Sequence, residues 1–403
     1  MPELNVGGVP RGEDYFGRED LVENLWARLK QDNVLLVAPR RFGKTGAMYR
    51  LLDEPREPFQ PLYINVEHIM SATDFMVEFL AALLHDRHFS RLINKLREET
   101  KGVGRIVRNL PESIDVGGIK VILREDTDVS EQWISYGERV MALLAKDKPH
   151  LLLLIDEFAI MIDNIAQHSR DEAERFLRWF RAVRTSPDTK ARFVFGGSIN
   201  LIATLDAMGL VDTVNDLSIV RLEPFDPKTA KRFVETIFAS RRIKLAPKVR
   251  DTILELVGAP IPYLLSVLLT AIFDRQRATR KKVSVEMVNA AFQDDLLGGA
   301  TAAVFRHYRS RIDQYYPDLE GRATKAILGI LSRSESPVRR DTLYQIFLKT
   351  GNRQPDQKTQ EDFLRLMHKL DNDFYVVSQD DSFAFFSRVL QLWWKTHYGF
   401  QGE

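Results

Sequence analysis

The sequence predicts an α/β protein: a parallel sheet layered with helices, then a helical region, then a small unit of helices and a hairpin. Three observations predict it. Short apolar runs alternate with stretches of helical spacing through the first half of the chain, the pattern of strands joined through helices. The runs are apolar throughout rather than at every second residue, as strands buried on both faces must be. After Leu222 the strand-like runs stop and helical spacing takes over.

Taken in order, Val34–Val37 is the first strand, and helical spacing follows at Ala47, Tyr49, Leu51 and Leu52. Leu62–Val66 is the second, followed by Phe75, Phe79, Leu80 and Leu83. Leu151–Ile155 and Phe193–Phe195 supply two more. Between them, Ile114–Arg124 carries Gly117-Gly118 between apolar runs, which predicts a β-hairpin inserted near 114–124. Pro227 to Asp294 reads as helical, broken near Gly258–Pro262, and Asp295–Asp318, with Gly298-Gly299, reads as a connector. A last unit begins near Arg322. It has helices at Ala326–Leu331, Thr342–Leu348 and Phe363–Leu370, then strands Phe374–Val377 and Phe383–Phe386 around the turn Ser378–Ser382. Three helices followed by a hairpin is the order of a winged helix.

Composition narrows the function. The 403 residues suit two or three domains, and 44% apolar with 28% charged residues is an ordinary globular mixture. A net charge of +1 gives no global preference for nucleic acid or membrane, so any such preference is local. The absence of cysteine excludes disulfides, thiolate metal sites and cysteine nucleophiles. Met1 to Gly12 lacks the pattern of a signal peptide, and Leu151–Ile155 is too short to span a bilayer. The expectation is a cytoplasmic protein without membrane partners.

The chemistry begins at Ala38-Pro39-Arg40-Arg41-Phe42-Gly43-Lys44-Thr45. A phosphate-binding loop reads G-x-x-x-x-G-K-[ST] between a strand and a helix. Gly43 permits the turn that aims backbone N–H groups at phosphate, and the helix beginning at Gly46 adds its positive end. Lys44 neutralises β- and γ-phosphate oxygens, and the Thr45 hydroxyl binds Mg²⁺. Ala38 stands where the pattern has glycine. Alanine disfavours positive φ, so it either loosens the loop or occupies an ordinary φ.

The second motif is Leu151-Leu152-Leu153-Leu154-Ile155-Asp156-Glu157, a buried strand ending in two acids. Asp156 would hold Mg²⁺ through its water shell, and Glu157 would polarise the attacking water as general base. Both fall at the carboxyl end of a parallel strand, where such sheets bind ligands. Each motif predicts the other, and together they point to a P-loop site for a nucleoside triphosphate with Mg²⁺.

Pro39-Arg40-Arg41-Phe42-Gly43-Lys44-Thr45 resembles the "PRRxGKT" loop of archaeal-type ATPases within the STAND and AAA+ group. Further marks follow over about residues 13–270. Phe16-Gly17-Arg18-Glu19-Asp20-Leu21 is similar to that family's "F-x-G-R-E-x-L" opening segment, one residue shorter. Gly197-Ser198-Ile199-Asn200 stands where the family has a polar sensor, and Leu222-Glu223-Pro224-Phe225 resembles its step into a helical lid. Gly258-Ala259-Pro260-Ile261-Pro262-Tyr263 resembles the lid's "G-G-x-P-Y" turn. The resemblance implies a P-loop core over 1–222, a helical lid over 223–297, and a connector with winged helix over 298–403. It implies nucleotide contacts from Phe16 and Arg18, from the loop Pro39, Arg40, Arg41, Phe42, Gly43, Lys44, Thr45 and Gly46, and from Ser198 and Pro262. Preference for ATP over GTP rests on it alone. The chain departs from the family in lacking an arginine between Ser198 and Val220 and in carrying Pro262 where a sensor arginine is expected. Arg178, Arg181, Arg184 and Arg221 are the candidate fingers, and a solvated basic helix face is the alternative reading.

A winged helix can place its third helix in the DNA major groove. Here that helix, Thr359–Leu370, carries Gln360, Arg365, His368 and Lys369 beside Glu361 and Asp362, and the wing tip Gln379-Asp380-Asp381 is acidic. Positive clusters lie at Arg339-Arg340 and Arg277–Lys282, and Phe383, Phe385, Phe386, Trp393, Trp394, Tyr398 and Phe400 either stack bases or form core. Three readings stay open: a nucleotide-driven ATPase switch, with or without a link to double-stranded DNA; a DNA-binding regulator that holds ATP without turnover; and a protein-interaction or antitoxin-like module. A homo-oligomer fits any of them.

Overall fold

The computed structural model describes residues 3–4, 6–89, 132–145, 149–197, 200–298, 302–316 and 318–399. The hairpin expected near 114–124, Ser198 and Phe400 lie outside them. The chain divides into two compact units: Arg18–Ala38 with Gly43–Leu222, and Met1–Gly17, Pro39–Phe42 and Glu223–Glu403.

The first unit is a five-stranded sheet, β1 (Asn33–Val37), β2 (Phe59–Asn65), β3 (His150–Asp156), β4 (Arg192–Gly197) and β5 (Leu217–Arg221), in the order β2-β3-β4-β1-β5. Every pairing is parallel, so the five carboxyl ends share one edge. The leucine run of β3 is buried from Leu151 to Asp156 because β2 and β4 flank it and helices cover its faces. β5 escaped the sequence reading: Leu217-Ser218-Ile219-Val220-Arg221 is an edge strand with Ile219 half exposed, so it lacks the unbroken apolar run of its neighbours.

The helices of this unit are α1 (Glu19–Leu29), α2 (Lys44–Asp53), α3 (Ala72–His85), α4 (Trp133–Leu144), α5 (Phe158–His168), α6 (Arg170–Thr185) and α7 (Asn200–Ala207). Ser71 and Ser169 cap α3 and α6 by accepting the N–H groups of Asp74 and Glu172. The core is largely aromatic. Phe180 of α6 meets Phe193 at 5.2 Å, Phe75 of α3 meets Phe176 at 5.0 Å, and Phe158 of α5 meets Phe195 at 4.7 Å. Each such ring, fully buried, is worth about 1.5–3 kcal/mol. Gly137 lets α4 close on them: a Cβ there would stand 2.3 Å from Trp179.

In the second unit, α8 (Pro227–Ser240), α9 (Pro247–Val257) and α10 (Pro262–Thr279) each open on proline, whose missing N–H costs nothing at a first helical position. The expected break falls between α9 and α10, where Gly258 has φ +68° and a Cβ would come 2.9 Å from Arg388. α11 (Val285–Ala290) continues into a π-helical turn, Ala291–Leu297. The stretch read as a connector holds a helix, α12 (Ala302–Tyr315), because Phe305, Tyr308 and Ile312 recur at helical spacing and are buried.

Then come α13 (Asp318–Arg333), β6 (Val338–Arg339), α14 (Arg340–Gly351), α15 (Gln357–Asn372), β7 (Val376–Gln379), β8 (Ser382–Phe385) and α16 (Arg388–Tyr398). The strands form an antiparallel sheet in the order β6-β8-β7. Beneath it, the Tyr316 hydroxyl donates to Asp373 at 2.7 Å and Tyr375 donates to the Tyr308 carbonyl at 2.7 Å. Burial raises the Asp373 carboxyl above its usual range, opposed by Arg311 at 3.9 Å.

Candidate nucleotide-binding site

The loop from β1 to α2 turns through two left-handed positions, Arg41 at φ +74° and Gly43 at φ +101°. Gly43 is the N-cap of α2, and a helix start there leaves N–H groups facing outward. Ala38 is not among the positive-φ residues, so alanine is tolerated where the motif has glycine. Pro39 and Gly46 are buried, and Arg40 is exposed. Lys44 is 7% exposed and its Nζ donates to the Ala38 carbonyl at 2.7 Å, so the cation is held inside the curl of its own loop.

Across the sheet edge, Asp156 ends β3 at 1% exposure. The Thr45 hydroxyl donates to its Oδ2 at 2.6 Å, and the Glu157 N–H donates to its Oδ1 at 3.0 Å. The structure therefore brings together Lys44, Thr45, Asp156 and Glu157, two of them 111 positions apart in sequence. Glu157 adopts φ +61°, ψ +31°, a region costing a non-glycine residue about 1–2 kcal/mol. Strain of this kind concentrates at functional sites.

Two residues that the sequence reading passed over complete this cluster. Tyr63 of β2 donates its hydroxyl to Asp156 Oδ2 at 3.2 Å, with its ring 5.0 Å from Tyr49 of α2. Burial first, and then the Asp156 charge, push its phenol far above the usual range. Gly196 of β4 is the wall behind the carboxylate: a Cβ there would lie 2.6 Å from Asp156 Oδ1 and 2.8 Å from Met48 Cε. Tyr63 signalled itself only as a phenol in a largely apolar run, and Gly196 only as the first of two glycines ending a strand.

The remaining residues divide between the units. Arg18 is the N-cap of α1 in the sheet unit. In the other, Phe16 packs against Phe233 at 5.4 Å and Phe225 at 6.4 Å, with the Arg232 guanidinium 5.0 Å over its ring. Pro262 opens α10, and the Arg41 guanidinium lies 5.0 Å over the ring of Tyr263. Phe42 is 1% exposed, with its ring 5.2 Å from Phe374 and 6.4 Å from Phe386. Phe42 is thus a packed side chain in this structure.

The three arginines of α6 that were candidate fingers make structural contacts. Arg178 pairs with Glu174 at 2.7 Å, and Arg181 donates to Asn215 at 3.0 Å. Arg184 donates to both Asp216 oxygens, at 3.0 and 2.9 Å, and to the Thr213 carbonyl at 2.7 Å. Arg221 is the last residue of β5, in register with Val37.

Thr45 and Asp156 offer hard oxygen donors, which suits Mg²⁺, an ion that takes few protein ligands and fills its shell with phosphate and water. Among the described residues, no group of three or more His, Asp or Glu side chains gathers as a self-sufficient metal cage.

The structure is similar to a Walker-type ATPase of Pyrococcus abyssi over 97% of this chain and 99% of that one, with TM-score 0.61 and 15% identity. The fold is that of the P-loop NTPases. The ORC2 protein of Aeropyrum pernix, solved in ADPNP–ADP complexes, is also similar, over 96% of this chain and 93% of its own, with TM-score 0.52 and 13% identity. At these identities the likeness is one of fold. No protein-family profile matches the chain, and no curated protein matches it. Among the described residues, no helix is long and apolar enough to cross a membrane.

Proposed function

We propose that this chain binds ATP with Mg²⁺ and hydrolyses it slowly, as a nucleotide-driven switch. The observation that carries the reading is the cluster of Lys44, Thr45 and Asp156 at the carboxyl edge of a parallel sheet, closed by the 2.6 Å hydrogen bond from Thr45 to Asp156. Lys44 exchanges the Ala38 carbonyl for β- and γ-phosphate oxygens, and the N–H groups at the start of α2 face the same anion. Thr45 and Asp156 hold Mg²⁺, which when bound neutralises charge developing on the phosphates. Glu157, next in the chain, accepts a proton from the attacking water. The lid, 223–297, and the winged helix, which begins after the connector, move with nucleotide state. Arg178, Arg181 and Arg184 are engaged in contacts within the sheet unit, so turnover stays slow unless a partner supplies a finger, a contribution of about 10³–10⁵ in rate.

A second reading concerns the partner of the winged helix. The expected recognition helix has its Lys369 tied to Glu320 at 2.7 Å and to the Tyr315 carbonyl at 2.9 Å, and Arg340 pairs with Asp381 of the wing at 3.1 Å. Phe383, Phe385, Trp393 and Trp394 are core. Lys369 and the rings are spent internally and the half-exposed Arg340 faces the acidic wing, which favours a protein partner over double-stranded DNA. Steady-state ATP turnover by wild type and Glu157→Gln, each with and without double-stranded DNA at low salt, tests both readings. Turnover lost in the variant and indifferent to DNA supports them; stimulation by DNA overturns the second; no turnover in either condition removes the hydrolytic role of Glu157.

A further inference from the structure

Asp156 is oriented from three directions. A carboxylate has about four lone-pair sites. Oδ1 accepts the Glu157 N–H, and Oδ2 accepts both the Thr45 and the Tyr63 hydroxyls. Gly196 of β4, having no Cβ, leaves the space that Oδ1 occupies. Thr45, having donated its proton, keeps its own oxygen lone pairs for a cation. The Tyr63 bond therefore has one consequence beyond packing: it restricts which carboxylate oxygen, in which rotation, faces the ion that Thr45 would touch.

We propose that Tyr63 is a positioning residue for the metal, holding Asp156 through the 3.2 Å hydrogen bond to Oδ2. The placement follows from the sheet. β2 lies beside β3 with Asn65 opposite Asp156 and Tyr63 opposite Leu154, so the long phenol reaches forward along the strand to the carboxylate. Its ring rests on Tyr49, one turn into the helix that the phosphate loop opens. Tyr63 thus ties the acid on β3 to the helix carrying Lys44 and Thr45. The inference rests on the Mg²⁺–nucleotide reading of the site and adds a residue to it.

Tyr63→Phe keeps the ring and removes only the hydroxyl. The test is Mn²⁺ affinity by electron paramagnetic resonance, with the protein saturated by a non-hydrolysable ATP analogue, beside analogue affinity in EDTA. Outer-sphere partners are worth about 10–100-fold in metal affinity. Tyr63→Phe is expected to weaken Mn²⁺ about tenfold while analogue affinity in EDTA stays within about twofold. In an Asp156→Asn background the same change should have no further effect, since Tyr63 acts through that carboxylate. Wild-type Mn²⁺ affinity in Tyr63→Phe, or an equal loss in the Asp156→Asn background, overturns the proposal. Wild-type protein that binds the analogue without any response to Mn²⁺ overturns the metal reading itself, which separates the two failures.

Discussion

Replacing Arg184 with methionine should unfold the sheet unit early and leave its chemistry intact. Arg184 lies on the helix preceding β4, where an arginine could be mistaken for a finger. Its side chain is fully shielded from solvent, while that of Asp216 is 15% exposed. Its guanidinium makes three hydrogen bonds, two to Asp216 and one to the Thr213 carbonyl, and lies 5.5 Å over Phe180 and 5.2 Å over Phe195. Removing one partner of a buried pair costs about 3–5 kcal/mol, because the other charge is left unpaired. Asp216 keeps some water, which places the loss near the lower end, about 3 kcal/mol. At about 2–4 °C per kcal/mol for a unit of this size, Tm should fall about 6–12 °C. Calorimetry of Arg184→Met against Arg178→Ala makes the comparison, since Arg178 is half exposed and its pairs are worth about 0–1 kcal/mol. ATP turnover measured well below the melt should match wild type. An Arg184→Met protein that melts like wild type but no longer turns over ATP would refute the reasoning and identify a finger.

Two further outcomes follow from the packing. Gly196→Ala puts a methyl 2.6 Å from Asp156 Oδ1; the carboxylate must rotate off Thr45, so the Mg²⁺ needed for half-maximal turnover should rise about tenfold or more, and a titration like that of wild type would count against the wall. Phe42→Ala empties a ring site beside Phe374 and Phe386 and should cost about 3 kcal/mol or more by urea denaturation, with Phe42→Leu losing less than half of that; equal losses would show that the ring itself is not what packs there.

What was legible in the sequence was what is local. β1, β3 and β4 showed as unbroken apolar runs because neighbours bury both their faces. Lys44 and Thr45, like Asp156 and Glu157, sit side by side in the chain, so each pair carries its own signature. β5 was missed because an edge strand tolerates Ser218 and an exposed Ile219. α12 was missed because Gly298-Gly299 suggested a loop, although Phe305, Tyr308 and Ile312 already held its spacing. Tyr63 and Gly196 reach Asp156 from other strands, across 93 positions in the case of Tyr63, and no local pattern announces a contact made only when strands pair. Arg184 failed as a finger candidate for the same reason: its partner Asp216 is 32 positions away.

On the proposed function, Lys44, Thr45 and Asp156 form one Mg²⁺–ATP site. Isothermal titration of a non-hydrolysable ATP analogue into wild type, Lys44→Ala and Asp156→Asn, each with Mg²⁺ and with EDTA, tests it most directly. Wild type should bind more tightly with Mg²⁺, Lys44→Ala should lose binding, and Asp156→Asn should bind without responding to the metal. Equal affinity across the three folded proteins, in either buffer, would contradict it.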